Sequence, residues 1–104
     1  MGIGEPYISG DWLVRSGSEA EFVDRWTKFV GSGMEAPGAR SFVLIQDVDT
    51  PGHFISFGRW ESQDAVDAWR STPEFANLMA NCRALCEEFK AGRGYKLAAA
   101  VPSA

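Results

Sequence analysis

The sequence has few of the residues that hold metal ions or bind nucleic acids. It contains one histidine and two cysteines, and Cys82 and Cys86 lack the further ligands that a zinc site requires. Lysine and arginine number 10 against 14 aspartates and glutamates, which gives a net charge of -4. Because nucleic-acid binding requires a basic surface, we expect neither a metal ion nor a nucleic-acid partner.

Long apolar segments and cofactor motifs are missing as well. No apolar stretch approaches the ~20 residues that a membrane-spanning helix requires, and the first residues do not resemble a signal peptide. The GRG at 92–94 precedes a strand pattern, whereas a dinucleotide-binding motif follows one. We therefore expect a cytoplasmic protein that contacts no membrane and uses no cofactor.

The aromatic residues, by contrast, make up 12% of the chain and follow regular patterns. Residues 7–15 alternate, with Trp12 and Val14 on one face, which predicts a strand. Ser18 and Glu21 have the spacing of a capping box, so a helix should follow. Its apolar positions recur every three or four residues until the glycines at 31 and 33, which are typical of a helix end.

The second half predicts a hairpin, two helices and a last strand. Residues 39–48 and 53–61 are rich in β-branched and aromatic residues and are joined by the turn sequence DTPG. Ser62 should cap a short helix, and Thr72, before a proline, should cap a second helix that extends to about Lys90. The final strand is predicted at 95–101.

The predicted order of elements is β-α-β-β-α-α-β. This order is close to the ferredoxin-like plan, an α+β fold in which a four-stranded antiparallel sheet carries helices on one face. A chain of this length fits a single domain over 1–104, with its core at 7–101. Both faces of the hairpin strands are apolar, however, and so large an exposed apolar face needs a cover. We expect a second copy of the sheet to provide it, in a homodimer.

Several stretches resemble the antibiotic biosynthesis monooxygenase domain, in the dimeric α+β barrel superfamily. They are VRSGSEAEFVDRW (14–26), the hairpin VLIQDVDTPGHFISFGRW (43–60) and WESQDAVDAWRSTPEF (60–75). The resemblance extends from Tyr7 to Val101. It implies two facing sheets in a closed barrel and, in each subunit, a pocket between the sheet and the helices.

The resemblance also implies two kinds of activity. Some members are cofactor-free oxygenases that convert anthrones or hydroquinones to quinones, and others degrade haem. The haem type requires an Asn on the first strand, a Trp on the short helix and a His ten residues after that Trp. Here Trp69 matches the Trp, but Met79 stands at the His position and Gly10 near the Asn position, so haem degradation is not expected. In the quinone-forming type, Trp69 matches a pocket Trp and Phe75 stands near a Tyr position, while an Asn and an Arg have no secure counterpart.

Trp69 and Asp11 are the candidate catalytic residues. Trp69 lies in a short helix before a break, where a large ring can line a pocket or fill the core. Asp11 lies in a predicted central strand, where a carboxylate needs a partner. It could accept a proton from a phenol, pair with Arg59 or Arg15, or lie at a water-filled barrel mouth.

The candidate substrate-binding residues are mostly large and apolar: Trp26, Phe57, Trp60, Phe75 and Met79. For Trp60 a place in the core is the competing interpretation. His53 reads as a solvated turn residue, and the two cysteines as apolar filling of a helix.

These observations lead to one main hypothesis and two alternatives. The first is a cofactor-independent monooxygenase that oxidises a small aromatic substrate, phenolic, polyketide-like or hydroquinone-like, with O2. The second is a non-catalytic dimer that binds a ligand. The third is an isomerase or cyclase of the same barrel, which would need an acid–base pair but no oxygen.

Overall fold

The computed structural model describes residues 2–102, except for the side chain at position 91. Residues 1, 103 and 104, which the predicted domain includes, lie outside the described residues. The elements are β1 (Pro6–Val14), α1 (Glu19–Gly33), β2 (Ala39–Gln46), β3 (His53–Trp60), α2 (Gln63–Arg70), α3 (Pro73–Arg83) and β4 (Cys86–Lys96). Within 2–102, no helix has the length and apolarity needed to cross a membrane.

The four strands form one antiparallel sheet in the order β2-β3-β1-β4. The two strands at the centre, β1 and β3, are separated in sequence by α1 and β2, and α2 and α3 connect β3 to β4. The predicted α+β, ferredoxin-like fold with the order β-α-β-β-α-α-β is confirmed. Crossover handedness explains why all three helices cover the same face of the sheet.

The start of α1 differs in detail from the prediction. Ser18 is the N-cap, but its side chain accepts no hydrogen bond from the helix. Glu19 instead turns back, and its carboxylate accepts a hydrogen bond from the backbone N–H of Gly17 at 2.8 Å. The helix therefore begins where the sequence predicts, without the capping box.

The caps of α2 and α3 agree with the prediction. The Ser62 hydroxyl accepts a hydrogen bond from the N–H of Ala65 at 3.1 Å, and the Thr72 hydroxyl accepts one from the N–H of Phe75 at 3.1 Å. The Thr72 hydroxyl also donates to the carbonyl of Trp69 at 2.8 Å. One hydroxyl thus joins the end of α2 to the start of α3 and holds Trp69 and Phe75 together.

The predicted last helix is wrong beyond Arg83. α3 ends there, and the chain enters β4 at Cys86 and stays extended to Lys96, so the strand begins at 86 rather than at the predicted 95. Helical apolar spacing does continue through Phe89 in the sequence. However, without β4 the buried strand β1 would have one edge of unpaired N–H and C=O groups, and this long-range pairing outweighs the local pattern.

The core between sheet and helices is built mainly from aromatic rings. The largest fully buried side chains are Trp12, Trp60, Phe22, Phe54, Val66 and Cys82. Trp12 lies 5.2 Å from Phe22 and 4.4 Å from Phe89, between ring centroids. These contacts bind β1 to α1 on one side and to β4 on the other.

On the opposite face of the sheet no helix of residues 2–102 is packed, and this face remains apolar. On β2, Val43 and Ile45 are 51% and 50% exposed, and they pair with Phe57 and Ile55 of β3. A hydrophobic strip on two adjacent strands is costly to leave in water. This helix-free face is the surface on which the predicted homodimer depends.

Replacing the two N-cap hydroxyls should give unequal results. Thr72→Ala should lower the free energy of unfolding by about 1 kcal/mol, because it removes a cap that satisfies a helix N–H. Ser18→Ala is the matched control and should cost clearly less, because the Ser18 side chain makes no cap hydrogen bond. Urea unfolding followed by circular dichroism measures both; equal losses would contradict this assignment of the caps.

Candidate functional site

A cavity of about 340 Å³ lies between the sheet and the helices. All seven elements contribute residues to it, and aromatic rings dominate its walls. Its lining consists of Ile8, Ser9, Gly10, Trp12, Trp26, Phe29, Val30, Phe42, Ser56, Phe57, Gly58, Trp69, Arg70, Phe75, Met79, Arg83, Phe89 and Gly92. Such a volume and lining suit a planar aromatic ligand.

Glycines on the central strands form part of the cavity floor. A Cβ at Gly58 would lie 2.8 Å from the Phe42 ring, and one at Gly10 would lie 2.8 Å from both the Ser56 hydroxyl and the Trp12 indole nitrogen. Neither position has room for a side chain. The glycines therefore let the rings above them settle close to the backbone of the sheet.

Ser56 provides a polar group on this floor. Its hydroxyl oxygen accepts a hydrogen bond from the indole N–H of Trp12 at 3.1 Å. A hydroxyl that accepts in this way can still donate its own hydrogen. An oxygen atom of a bound molecule is a suitable acceptor for it.

Trp69 is the central wall of the cavity. It is only 4% exposed, and its ring lies 4.8 to 5.7 Å from the rings of Phe29, Phe42, Trp60 and Phe75. Its indole N–H is buried and, among the described residues, has no hydrogen-bond acceptor. A buried donor without an acceptor is unfavourable, so a ligand oxygen near it would be stabilising.

Five of the seven predicted site residues line the cavity. They are Trp26, Phe57, Trp69, Phe75 and Met79. Phe57 does so from an unexpected side: Gly58 and Trp60 of the same strand are buried under the helices, so alternation turns the Phe57 side chain toward the helix-free face.

Trp60 and Asp11 are not part of the lining. Trp60 is fully buried behind Trp69, at 5.2 Å between ring centroids, which is the core position that the competing interpretation gave it. Asp11 lies on the opposite face of β1 from Trp12, away from the cavity. Its role as a catalytic base stays a prediction.

Asp11 belongs to a separate cluster with His53 and Asp47. His53 Nε2 lies 2.9 Å from an Asp11 carboxylate oxygen, and His53 Nδ1 lies 3.1 Å from an Asp47 oxygen. The expectation of a solvated turn histidine is therefore wrong: His53 is the first residue of β3 and is only partly exposed. The alternative pairing of Asp11 with Arg59 or Arg15 is replaced by this bond to the neighbouring strand.

The cluster shifts the acidity of two of its members. The hydrogen bond with Asp47 raises the pKa of His53 above its usual 6.5, opposed by partial desolvation and aided by Asp11. The pKa of Asp47 is lowered, first by its hydrogen bond with His53 and then by the N–H groups of Asp49 and Thr50. Each partner stabilises the charged form of the other.

Neither cysteine is suited to act as a nucleophile. Both are buried, and burial raises the pKa of the Cys82 thiol to about 12. A thiol is a weak nucleophile unless it ionises. Within residues 2–102, no group of three or more histidine, cysteine or acidic side chains is placed to hold a metal ion.

The lining includes residues that the sequence analysis did not single out, chiefly Ser56, Phe89, Arg70 and Arg83. The two arginines are the last residues of α2 and α3. Arg70 could have been noted as the end of a correctly predicted helix. Arg83 could not, because the predicted helix continued past it.

These features define a class of protein. The chain is a small α+β domain with an aromatic cavity between its sheet and its helices, and the Ser56 hydroxyl and two guanidinium groups belong to the lining residues. The sequence model of the family described as antibiotic biosynthesis monooxygenase matches residues 10–81. The chain belongs to this family.

Solved structures share the fold over almost the whole chain. SnoaB, a cofactor-independent oxygenase from Streptomyces nogalater, is 19% identical and has a TM-score of 0.87, over 96% of this chain and 99% of SnoaB. A conserved protein from Methanosarcina mazei Go1 is 11% identical, with a TM-score of 0.81 over 91% and 94%. An antibiotic biosynthesis monooxygenase is 18% identical, with a TM-score of 0.73 over 91% and 98%. No curated protein is similar enough in sequence to match.

The His53 cluster predicts a measurable titration. His53 is the single histidine, so its NMR resonances are unambiguous, and its pKa should exceed 6.5. Asp47→Asn should lower this pKa more than Asp11→Asn, because the bond to Asp47 is the larger cause.

The same shift fixes the sign of the effect of pH on stability. Because the pKa is raised on folding, the contribution of the charged His53 is complete below about 6.5 and is lost as pH rises through the folded value. The difference in melting temperature between wild type and His53→Gln should therefore shrink toward high pH. A His53 pKa at or below 6.5 would contradict this.

Proposed function

We propose that the protein is a cofactor-independent monooxygenase that oxidises a small aromatic, phenol-containing substrate with O2. The observation that carries the proposal is Trp69, a buried ring of the cavity wall whose N–H has no acceptor in the described chain. A phenolic or keto oxygen on a bound aromatic ring would supply that acceptor. The family match and the shared fold with SnoaB, a cofactor-independent oxygenase, also support an oxygenase function.

In this reaction the substrate supplies the electrons. An ionised anthrone or hydroquinone can transfer an electron to O2, after which the radical pair combines. For an anthrone, the ring CH2 becomes C=O, one oxygen atom enters the quinone and the other leaves as water. The protein binds the substrate, orients it and excludes bulk water.

Ionisation of the substrate is the step that the protein must favour. Within residues 2–102, the cavity lining contains no Asp, Glu or His, so the proposal relies on donors rather than on a protein base. The Trp69 N–H and the Ser56 O–H would bond a phenolate oxygen, which lowers the pKa of the phenol. A water molecule or buffer base at the mouth would then take the proton.

The lack of an acid–base pair in the lining also bears on the alternatives. An isomerase or cyclase would need such a pair, so we place it last. A non-catalytic ligand-binding protein would need only the aromatic walls, and it is the second candidate. Oxygen consumption separates it from the monooxygenase.

We also propose that the protein is a homodimer in which two helix-free sheet faces pack together. The half-exposed Val43 and Ile45 would be buried there, next to the side chains of Ile55 and Phe57. Removing this apolar strip from water is the driving force. Phe57, which also lines the cavity, would connect the interface to the site.

The oxygenase proposal is tested with 1,8-dihydroxyanthrone as a simple anthrone. The protein should accelerate O2 uptake and formation of the anthraquinone above the rate of autoxidation, measured with an oxygen electrode and by absorbance. Binding without any acceleration would overturn the oxygenase and leave the ligand-binding alternative.

Trp69→Phe should affect both ligand binding and folding. Affinity for an aromatic ligand such as anthraquinone should fall roughly 3- to 10-fold, as for the loss of one hydrogen bond. Stability should fall by roughly 1–2 kcal/mol for the partial loss of a buried ring.

Trp60→Phe is the matched control for this change. It removes an equally buried indole, whose N–H also has no acceptor among the described residues, outside the cavity lining. It should lower stability similarly and leave ligand affinity unchanged. If both variants affect affinity equally, Trp69 has no special place in binding.

The dimer is tested by sedimentation velocity at micromolar concentration. The wild-type protein should sediment at about twice the 11.4 kDa of the chain. Val43→Lys, on the helix-free face, should shift it to the monomer because burying an unpaired charge is costly. Val23→Lys adds the same charge at a 41% exposed site on α1 and should leave the dimer intact; a monomeric wild type would contradict the proposal.

A further inference from the structure

Gly33, the last residue of α1, lies directly behind the cavity wall. It is buried on the same side of the helix as Trp26 and Phe29. A Cβ added to it would lie 2.8 Å from Cζ2 of the Trp69 indole and 3.1 Å from Cζ of the Phe42 ring. Both of these rings line the cavity, whereas Gly33 is not among the lining residues. The two rings can lie where they do because position 33 has no side chain.

The backbone at this position does not require glycine. Among residues 2–102, the glycines with positive φ are Gly4, Gly17 and Gly38, so Gly33 has a conformation that other residues adopt without strain. The next residue, Met34, is also in the right-handed helical region, with φ −65° and ψ −18°. An alanine would favour the helix more than glycine does. The close approach of the rings is therefore what excludes a side chain here.

We propose that Gly33 determines the size of the ligand that the cavity accepts, because it allows the Trp69 indole to lie back against α1. This inference rests on the proposed function and adds a residue outside the lining to those that select the substrate. Carbon atoms in contact prefer a separation of about 3.5 to 4 Å. A methyl group at position 33, at 2.8 Å from the indole, would therefore have to displace it.

The indole has one direction in which it can move. Four aromatic rings surround it at centroid distances of 4.8 to 5.7 Å: Phe29, Phe42, Trp60 and Phe75. Closely packed rings give way little, whereas the cavity of about 340 Å³ beside them is unfilled. A side chain at position 33 would push the indole into this space and make the cavity smaller. Gly33 is accordingly a positioning residue, which acts through Trp69.

The test compares a large and a small aromatic ketone, anthraquinone with three fused rings and acetophenone with one. Binding is measured by NMR chemical-shift titration, which requires no turnover. Gly33→Ala should weaken the binding of anthraquinone about 10-fold, a loss within the range that overpacking costs. Its affinity for acetophenone should stay unchanged, because a single ring leaves room for the displaced indole.

Gly31→Ala is the matched control in the same helix. Gly31 is exposed, and an added Cβ would meet no packed neighbour within 4 Å. This variant should bind both ketones as the wild type does, and its melting temperature should rise by roughly 2–4 °C through helix propensity. Gly33→Ala should not gain this stability, because the displaced indole loses contacts with its neighbours.

A double variant shows whether the effect passes through Trp69. Phenylalanine at position 69 lacks the indole Cζ2, so the 2.8 Å approach disappears. In a Trp69→Phe background, Gly33→Ala should no longer weaken the binding of anthraquinone, and its effect on the melting temperature should approach that of Gly31→Ala. Additive losses from the two single changes would mean that Gly33→Ala acts independently of the indole, which would overturn the proposal.

The two ketones also separate this proposal from the proposed function. Equal affinity changes for both ketones in Gly33→Ala, or no change for either, would overturn the role of Gly33 and leave the proposed function standing. If the wild type binds neither ketone, the proposed function fails and the size limit fails with it.

Discussion

The pairing of β4 with β1 is the constraint on which the cavity depends. It ends α3 at Arg83, because the chain must be extended again by Cys86 to reach the free edge of β1. It also places Phe89 against Trp12, at 4.4 Å between ring centroids. The edge of the sheet next to the cavity is thus built by contacts between residues more than 70 positions apart in the sequence.

The aromatic cluster around Trp69 serves as core and as cavity wall at once. Its rings bury area that stabilises the fold, yet the space beside them is not filled, and a cavity of about 340 Å³ remains. Protein interiors are normally packed without such voids. The unfilled space among these rings is therefore a reason to expect a ligand there. Because Trp69 belongs both to the core and to the cavity wall, replacing it should change stability and ligand binding together.

The carboxylates that join strands through ion pairs lie outside the cavity lining. At one end of the sheet, Asp11, His53 and Asp47 connect the central strands to the hairpin. Glu5, whose side chain is almost fully buried, joins strands β2 and β3 through Arg40 and Arg59. The described cavity lining holds no carboxylate of its own, so the proposed chemistry depends on hydrogen-bond donors.

The sequence by itself determined the elements that local chemistry controls. The hydroxyls of Ser62 and Thr72 and the proline at 73 set the starts of α2 and α3, and alternation in 39–60 set the hairpin, since these signals act within a few residues. Four aromatic residues of the cavity lining, Trp26, Phe57, Trp69 and Phe75, were among the site residues chosen from the sequence. Only the tertiary structure decided where α3 ends, that His53 rather than an arginine binds Asp11, and that Arg70 and Arg83 both line the cavity. Each of these depends on which strand lies beside which, and a local pattern carries no information about that.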